Sequence, residues 1–134
     1  MKPVAILYEH PEWFRPLFAE LDRRGLPYEA VHAARLSFDP DEAESPYSLV
    51  VNRMSPSAWT RGHADAIFTT AHYLAYLEDI GANVLNGRRA YDFELSKARQ
   101  ATLLAALGIP HPRSRVIGAA SEARAAAATR PHPR

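Results

Sequence analysis

Residues 3–33 read Pro-Val-Ala-Ile-Leu-Tyr-Glu-His-Pro-Glu-Trp-Phe-Arg-Pro-Leu-Phe-Ala-Glu-Leu-Asp-Arg-Arg-Gly-Leu-Pro-Tyr-Glu-Ala-Val-His-Ala, and their patterning decides the fold. The first six form a continuous apolar run, the pattern of a strand buried on both faces. Glu9, His10 and Pro11 interrupt it. Phe14, Leu17, Phe18 and Leu21 then recur at the spacing of one helical face. Pro16 lacks an N–H and suits only a first turn, so the regular helix is expected to begin around Arg15. Arg23 and Arg24 complement the negative end of that helix, and Gly25 closes it. Residues 26–33 form a second strand, with Tyr28, Ala30 and His32 on one face and Glu29 and Val31 on the other. Strand, helix and strand in this order make a right-handed βαβ unit.

The unit extends in both elements and chemistry. Residues 34–46 carry Asp39, Pro40, Asp41, Glu42, Glu44 and Pro46, the composition of a solvated acidic loop. They lack the ligand spacing and turn glycine of a calcium loop. Residues 47–52 form a buried strand that ends in Asn52, Arg53, Met54, Ser55, Pro56 and Ser57. Polar residues at that end of a parallel strand are either an ordinary loop or ligand contacts, because open α/β sheets bind ligands outside the carboxyl ends of their strands. Residues 64–80 read as a helix with Ile67, Ala71, Leu74 and Leu77 on one face and Gly81 as its stop. Val84 and Leu85 form a short strand that delivers Asn86 to the same edge as Asn52. Asn86 there either meets a ligand or caps the turn that follows. The sheet is expected to be four-stranded and mainly parallel.

A third helix is expected from Asp92, its N-cap, to Leu107. Gly108 takes the left-handed position after it, Ile109 folds back on the last turn, and Pro110 forbids continuation. Lys97 falls near the start of this helix, where the macrodipole disfavours a cation. It is either a solvated surface lysine or a partner for an anion. Residues 113–117 read as a further strand, and residues 121–129 are alanine-rich and favour helix. Residues 130–134, Arg-Pro-His-Pro-Arg, contain no core residue and form a weakly ordered tail.

Composition narrows the function. The 134 residues are 47% hydrophobic and 23% charged, as in an ordinary globular domain rather than a disordered chain. A net charge of +1, with no basic stripe, argues against nucleic acid as partner. There is no cysteine, so disulfide and thiolate chemistry are excluded. Without a long apolar run or a signal-peptide pattern, the expectation is a cytoplasmic protein that does not engage a membrane. Glycine-rich phosphate loops and the Gly-x-Ser-x-Gly elbow are absent. The histidines give no zinc spacing, and His63 and His72 fall on different faces of one helix. His32 reads as a satisfied or edge histidine. No nucleophile–base pair can be nominated, which disfavours a complete hydrolase. No catalytic residue and no metal ligand is assigned.

The succession of segments carries more information than any single motif. Leu-Val-Val-Asn-Arg-Met-Ser-Pro-Ser at 49–57 is followed by Leu-Glu-Asp-Ile-Gly at 77–81 and Val-Leu-Asn-Gly at 84–87. Ser96-Lys97 then precedes Leu-Leu-Ala-Ala-Leu-Gly-Ile-Pro-His-Pro. Over residues 3–118 this resembles the front of an ATP-grasp ligase, in particular the RimK-like carboxylate–amine ligases. The resemblance implies a Rossmann-like pre-ATP-grasp domain at 1–90, the start of the ATP-grasp module at 91–120 as a helix–strand extension, and a weakly ordered helical tail at 121–134; with the right-handed crossover rule it leads to the strand order 2-1-3-4.

Such enzymes use ATP and magnesium to phosphorylate a carboxylate, which an amine then attacks to form an amide. By that resemblance Lys97 contacts ATP phosphates, which would offset its dipole penalty, and Asn52, Arg53 and Asn86 border the substrate cleft. The family's second lysine, glycine-rich loop, adenine-binding segment and magnesium ligands have no counterpart in this sequence. The expectation is therefore an N-terminal, truncated ligase portion, inactive alone, that binds ATP and magnesium weakly. The partners expected are a small carboxylate and an amine as substrates of the parent enzyme, and either a second copy in a homodimer or a missing C-terminal module. The alternative is a free-standing Rossmann-like module that binds a small ligand or a protein at the Asn52/Asn86 edge.

Overall fold

The computed structural model describes residues 1–128. The expected tail at 130–134, and Thr129 of the alanine-rich helix, lie outside the described residues. The chain divides into two compact units, Met1–Leu95 and Ser96–Arg134.

The first unit is an α/β domain. Its strands are β1 (Val4–Tyr8), β2 (Tyr28–His32), β3 (Leu49–Asn52) and β4 (Val84–Leu85), and its helices are α1 (Pro11–Arg23), α2 (Ala64–Asp79) and α3 (Arg88–Leu95). All strand pairs are parallel, in the expected order β2-β1-β3-β4. Leu7 stands opposite both Val31 and Asn52, so β1 is the central strand. Its continuous apolar run follows from that position. Ala5 and Leu7 join Val50, Leu74 and Leu77 in the main core, all 1% exposed or less. Tyr8 turns to the opposite face, where its ring meets Phe14 at 5.5 Å and Phe18 at 5.1 Å on α1. Each fully buried Leu of this kind contributes about 1.5–3 kcal/mol of transfer free energy.

Three local features depart from the patterning. Helix α1 begins at Pro11, not around Arg15, because Pro11 itself supplies a preset first residue. Pro16 therefore sits within the helix, where it removes one hydrogen bond on a solvent-exposed side. The buried face of α2 includes Ala66, Thr70 and Tyr73 as well as Leu74 and Leu77, while Ile67 and Ala71 lie at its margin. His63 precedes α2 as its N-cap residue and so does not share a helix with His72.

Helix α3 docks on α2 through Tyr91, which is 2% exposed and donates its hydroxyl to the Ile67 carbonyl at 3.3 Å. Burial pushes the Tyr91 phenol up to about 12. Arg88 donates to the Ala71 carbonyl at 3.1 Å and pairs with Asp92 at 2.9 Å. Asp92 is thus an ion-pair partner inside α3 and not the cap of a longer helix. The expected single helix is two: Ser96 breaks it, and α4 (Lys97–Ala106) starts anew.

In the second unit, Ser96 caps α4 by accepting the Arg99 N–H on its hydroxyl at 3.2 Å. The other end closes as expected. Gly108 has φ 66°, its N–H donates to the Ala105 carbonyl at 3.1 Å, and the Ile109 N–H donates to the Leu104 carbonyl at 2.9 Å. These two bonds define a Schellman cap. Residues 113–117, expected as a strand, form none: no ladder partner exists for them among the described residues, and Val116 is 74% exposed. A strand needs a neighbour for its backbone groups, which a local apolar pattern cannot supply. A short helix, α5 (Ala123–Ala128), follows.

Candidate functional site

A cleft of about 480 Å³ opens within the first unit, at the carboxyl ends of β1, β3 and β4. Because β2 and β3 flank β1 on opposite sides, chain connections diverge there, leaving the kind of crevice that ligands occupy in open parallel sheets. Its size lies within the range of small-molecule sites.

Glu9, directly after β1, forms the charged base of the cleft and is 3% exposed. It is held from two sides. Arg61 donates from Nε to Glu9 Oε2 at 2.8 Å and to Oε1 at 3.1 Å, and Arg61 Nη2 also pairs with Oε2. His63 places Nδ1 2.5 Å from Oε1. The local sequence permits this convergence. Arg61 ends a 3-10 helix (Pro56–Arg61), and Gly62, at φ 80°, reverses the chain so that residues on both sides of it reach one carboxylate. The Arg61 hydrogen bonds are the main reason the Glu9 carboxyl lies below its ordinary value; burial opposes them and His63 adds to them. Glu9 is consequently a stable anion with its lone pairs largely engaged, and it is a poor proton acceptor.

Asn52 and Asn86, proposed from sequence as substrate contacts, are brought together. Asn52 Nδ2 donates to the Asn86 carbonyl at 3.0 Å, and Asn86 Nδ2 donates to the Asn52 carbonyl at 3.2 Å. Asn52 Oδ1 also accepts the Met54 N–H at 3.0 Å. Asn86 has φ 58°, a left-handed conformation that Asn adopts more readily than most residues. Both line the cleft, and their hydrogen bonds tie the end of β3 to the end of β4.

Arg53 is the third sequence-proposed contact and differs from the asparagines. Its backbone N–H continues the ladder to the Leu7 carbonyl at 2.8 Å, and its guanidinium lies over the Phe14 ring at 5.9 Å. Its side chain has no ion pair among the described residues. Lys97 belongs to the second unit, where it is the first residue of α4 and donates to Gln100 Oε1 at 3.0 Å.

Sequence reasoning did not identify Glu9, Arg61, His63 or Trp13 as site residues. A carboxylate directly after a buried strand, and Arg-Gly-His just before a helix, are the signals available for the first three. Trp13 is 66% exposed and stacks on His10 with ring centroids 4.3 Å apart and planes 7° from parallel. His10 Nδ1 is buried without a hydrogen-bond partner. His32 is satisfied, as expected: its Nδ1 accepts the Ala34 N–H at 3.3 Å. Burial and the neighbouring Arg35 hold its pKa down, in that order.

Among the described residues no group of three or more His, Asp or Glu could hold a metal ion. No described helix is long and apolar enough to cross a membrane. Compared with protein-family models and with curated proteins, the chain matches none.

Proposed function

We propose that this chain is the front portion of an ATP-dependent carboxylate–amine ligase of the RimK-like ATP-grasp kind, and that its β1/β3 cleft takes the carboxylic acid. The observation that carries this reading is Arg53, a guanidinium without an ion pair among the described residues, at a cleft of about 480 Å³. A planar guanidinium suits two-point recognition of a carboxylate. Arg61 is committed to Glu9 and cannot serve equally. Asn52 and Asn86 then shape the cleft, and Lys97, at the N-terminus of α4, meets ATP phosphates.

In this chemistry the acid is phosphorylated and an amine nitrogen displaces phosphate from the acyl carbon. No cluster of three or more His, Asp or Glu among the described residues could hold a metal ion, and no step through magnesium is assigned to them. Calorimetric titration with Mg-ATP tests the nucleotide part. Weak, millimolar binding that is further reduced by Lys97→Ala is expected. Binding that is unchanged in Lys97→Ala removes the lysine from the proposal.

A second reading, a free-standing small-ligand module, is favoured by one fact. The cleft's lining residues all belong to the Met1–Leu95 unit. Under this reading Lys97→Ala leaves every ligand's affinity unaltered, and Arg53→Gln does not.

A further inference from the structure

We propose that the cleft selects an aromatic carboxylate, with Trp13 taking the ring and Arg53 taking the carboxylate. This rests on reading the cleft as an acid-binding site and adds the class of acid.

The charge balance supplies the first argument. The cleft lining contains Arg53, Arg61, Glu9 and Glu94 as its full charges. Glu9 is bound by Arg61 and His63, which cancels the buried pair. Glu94 is solvent-exposed, so its charge is screened. Arg53 remains as the cation with no ion pair among the described residues, steadied against Phe14. An anion entering the cleft meets it without displacing a carboxylate.

The aromatic wall supplies the second. Trp13 exposes two-thirds of its surface, yet one face is already packed flat on His10. Stacking, rather than a hydrogen bond from His10 Nδ1, fixes the pair. An indole held in this way loses little further freedom when a flat ring covers its exposed side. Phe14, Met54 and Tyr91 continue the apolar lining. A saturated acid gains the guanidinium but not the ring contact, and a neutral aromatic gains the ring contact but not the charge.

The test uses the full chain carrying Trp59→Phe, so that Trp13 is the single indole, without nucleotide. Benzoate, cyclohexanecarboxylate and benzamide are titrated while Trp13 fluorescence and heat are followed. Benzoate is expected to bind about fivefold or more tightly than either comparison compound, in line with the worth of an aromatic pair. Trp13→Leu should make benzoate and cyclohexanecarboxylate equal by heat. Arg53→Gln should make benzoate and benzamide equal. Both side chains are exposed, and circular dichroism confirms that each variant folds; Trp13→Phe and Arg53→Lys serve as conservative versions. Equal binding of benzoate and cyclohexanecarboxylate to the parent chain, or no binding of benzoate, overturns the inference. Since nucleotide is absent, this result is separate from the Mg-ATP titration. Aliphatic acids binding as well as benzoate would sink aromatic selection while leaving the ligase reading in place.

Discussion

Glu9 and Arg61, 52 positions apart in the chain, share two hydrogen bonds of 2.8 and 3.1 Å from one guanidinium nitrogen, at the base of the cleft. The pair joins the end of β1 to the segment leading into α2. Breaking it from either side has different consequences, because the carboxylate is buried and the guanidinium is 28% exposed.

Arg61→Leu leaves Glu9 with His63 as its hydrogen-bond partner. A loss of stability is expected, because a buried carboxylate loses its strongest partner. Urea unfolding of the variant should show a lower midpoint with an unchanged slope. A midpoint equal to the parent's would show that the pair is not a stabilising contact.

Acid stability should depend on Glu9. Its folded pKa lies below the unfolded value, taken as 4.5, chiefly because of the Arg61 hydrogen bonds. The unfolded chain therefore takes up the proton first as pH falls. The stabilisation is present above pH 4.5 and is lost as pH drops through the lower folded value. Glu9→Gln should flatten this part of the stability–pH curve, measured by denaturant unfolding between neutral and strongly acid pH. A curve parallel to the parent's would assign the acid limb to other groups.

Asn52→Ala removes two hydrogen-bonding functions from a residue 4% exposed, leaving the Met54 N–H and the Asn86 carbonyl short of a partner. A loss of about 2 kcal/mol is expected. Asn86→Gly should cost less than Asn86→Ala, because glycine accepts φ 58° without the penalty a Cβ brings. Thermal melts of the three variants give the ranking, and an Asn86→Ala variant as stable as Asn86→Gly would contradict it.

At the alkaline end, Tyr73 and Tyr91 are both raised to about 12, in each case mainly by burial. The folded chain then holds protons that the unfolded chain has lost, so stability falls between roughly pH 10 and 12. Tyr91→Phe should reduce that slope and remove one late-titrating group from the phenolate absorbance. An unchanged absorbance titration would mean that Tyr91 ionises early.

Much of the fold was legible from residues 3–33 and 47–85. Continuous apolar runs mark β1 and β3, a helical stripe marks α1, and the right-handed crossover then restricts strand order. Helix ends were less legible. The sequence through Asp92–Leu107 has helical spacing on both sides of Ser96, and only the competition of its hydroxyl for the Arg99 N–H decides where one helix stops and another starts. The strand expected at 113–117 failed for the opposite reason, since its formation depends on a neighbour and not on its own residues. Asn52, Arg53 and Asn86 could be placed at the edge of the candidate cleft from sequence because they stand at the ends of β3 and β4. Arg61 and His63 were not, because their meeting with Glu9 depends on Gly62 and on the packing of α2.

The central place of β1 also sets an order of events in synthesis. Val4–Tyr8 is made before both of its neighbours, which start at Tyr28 on one side and Leu49 on the other. The second of these closures spans almost twice the chain and costs about 0.6 kcal/mol more loop entropy. Until residues 49–52 have been made, the most apolar strand in the sheet has one row of backbone donors and acceptors open to other chains. Slow elongation through residues 34–48 would prolong that exposure.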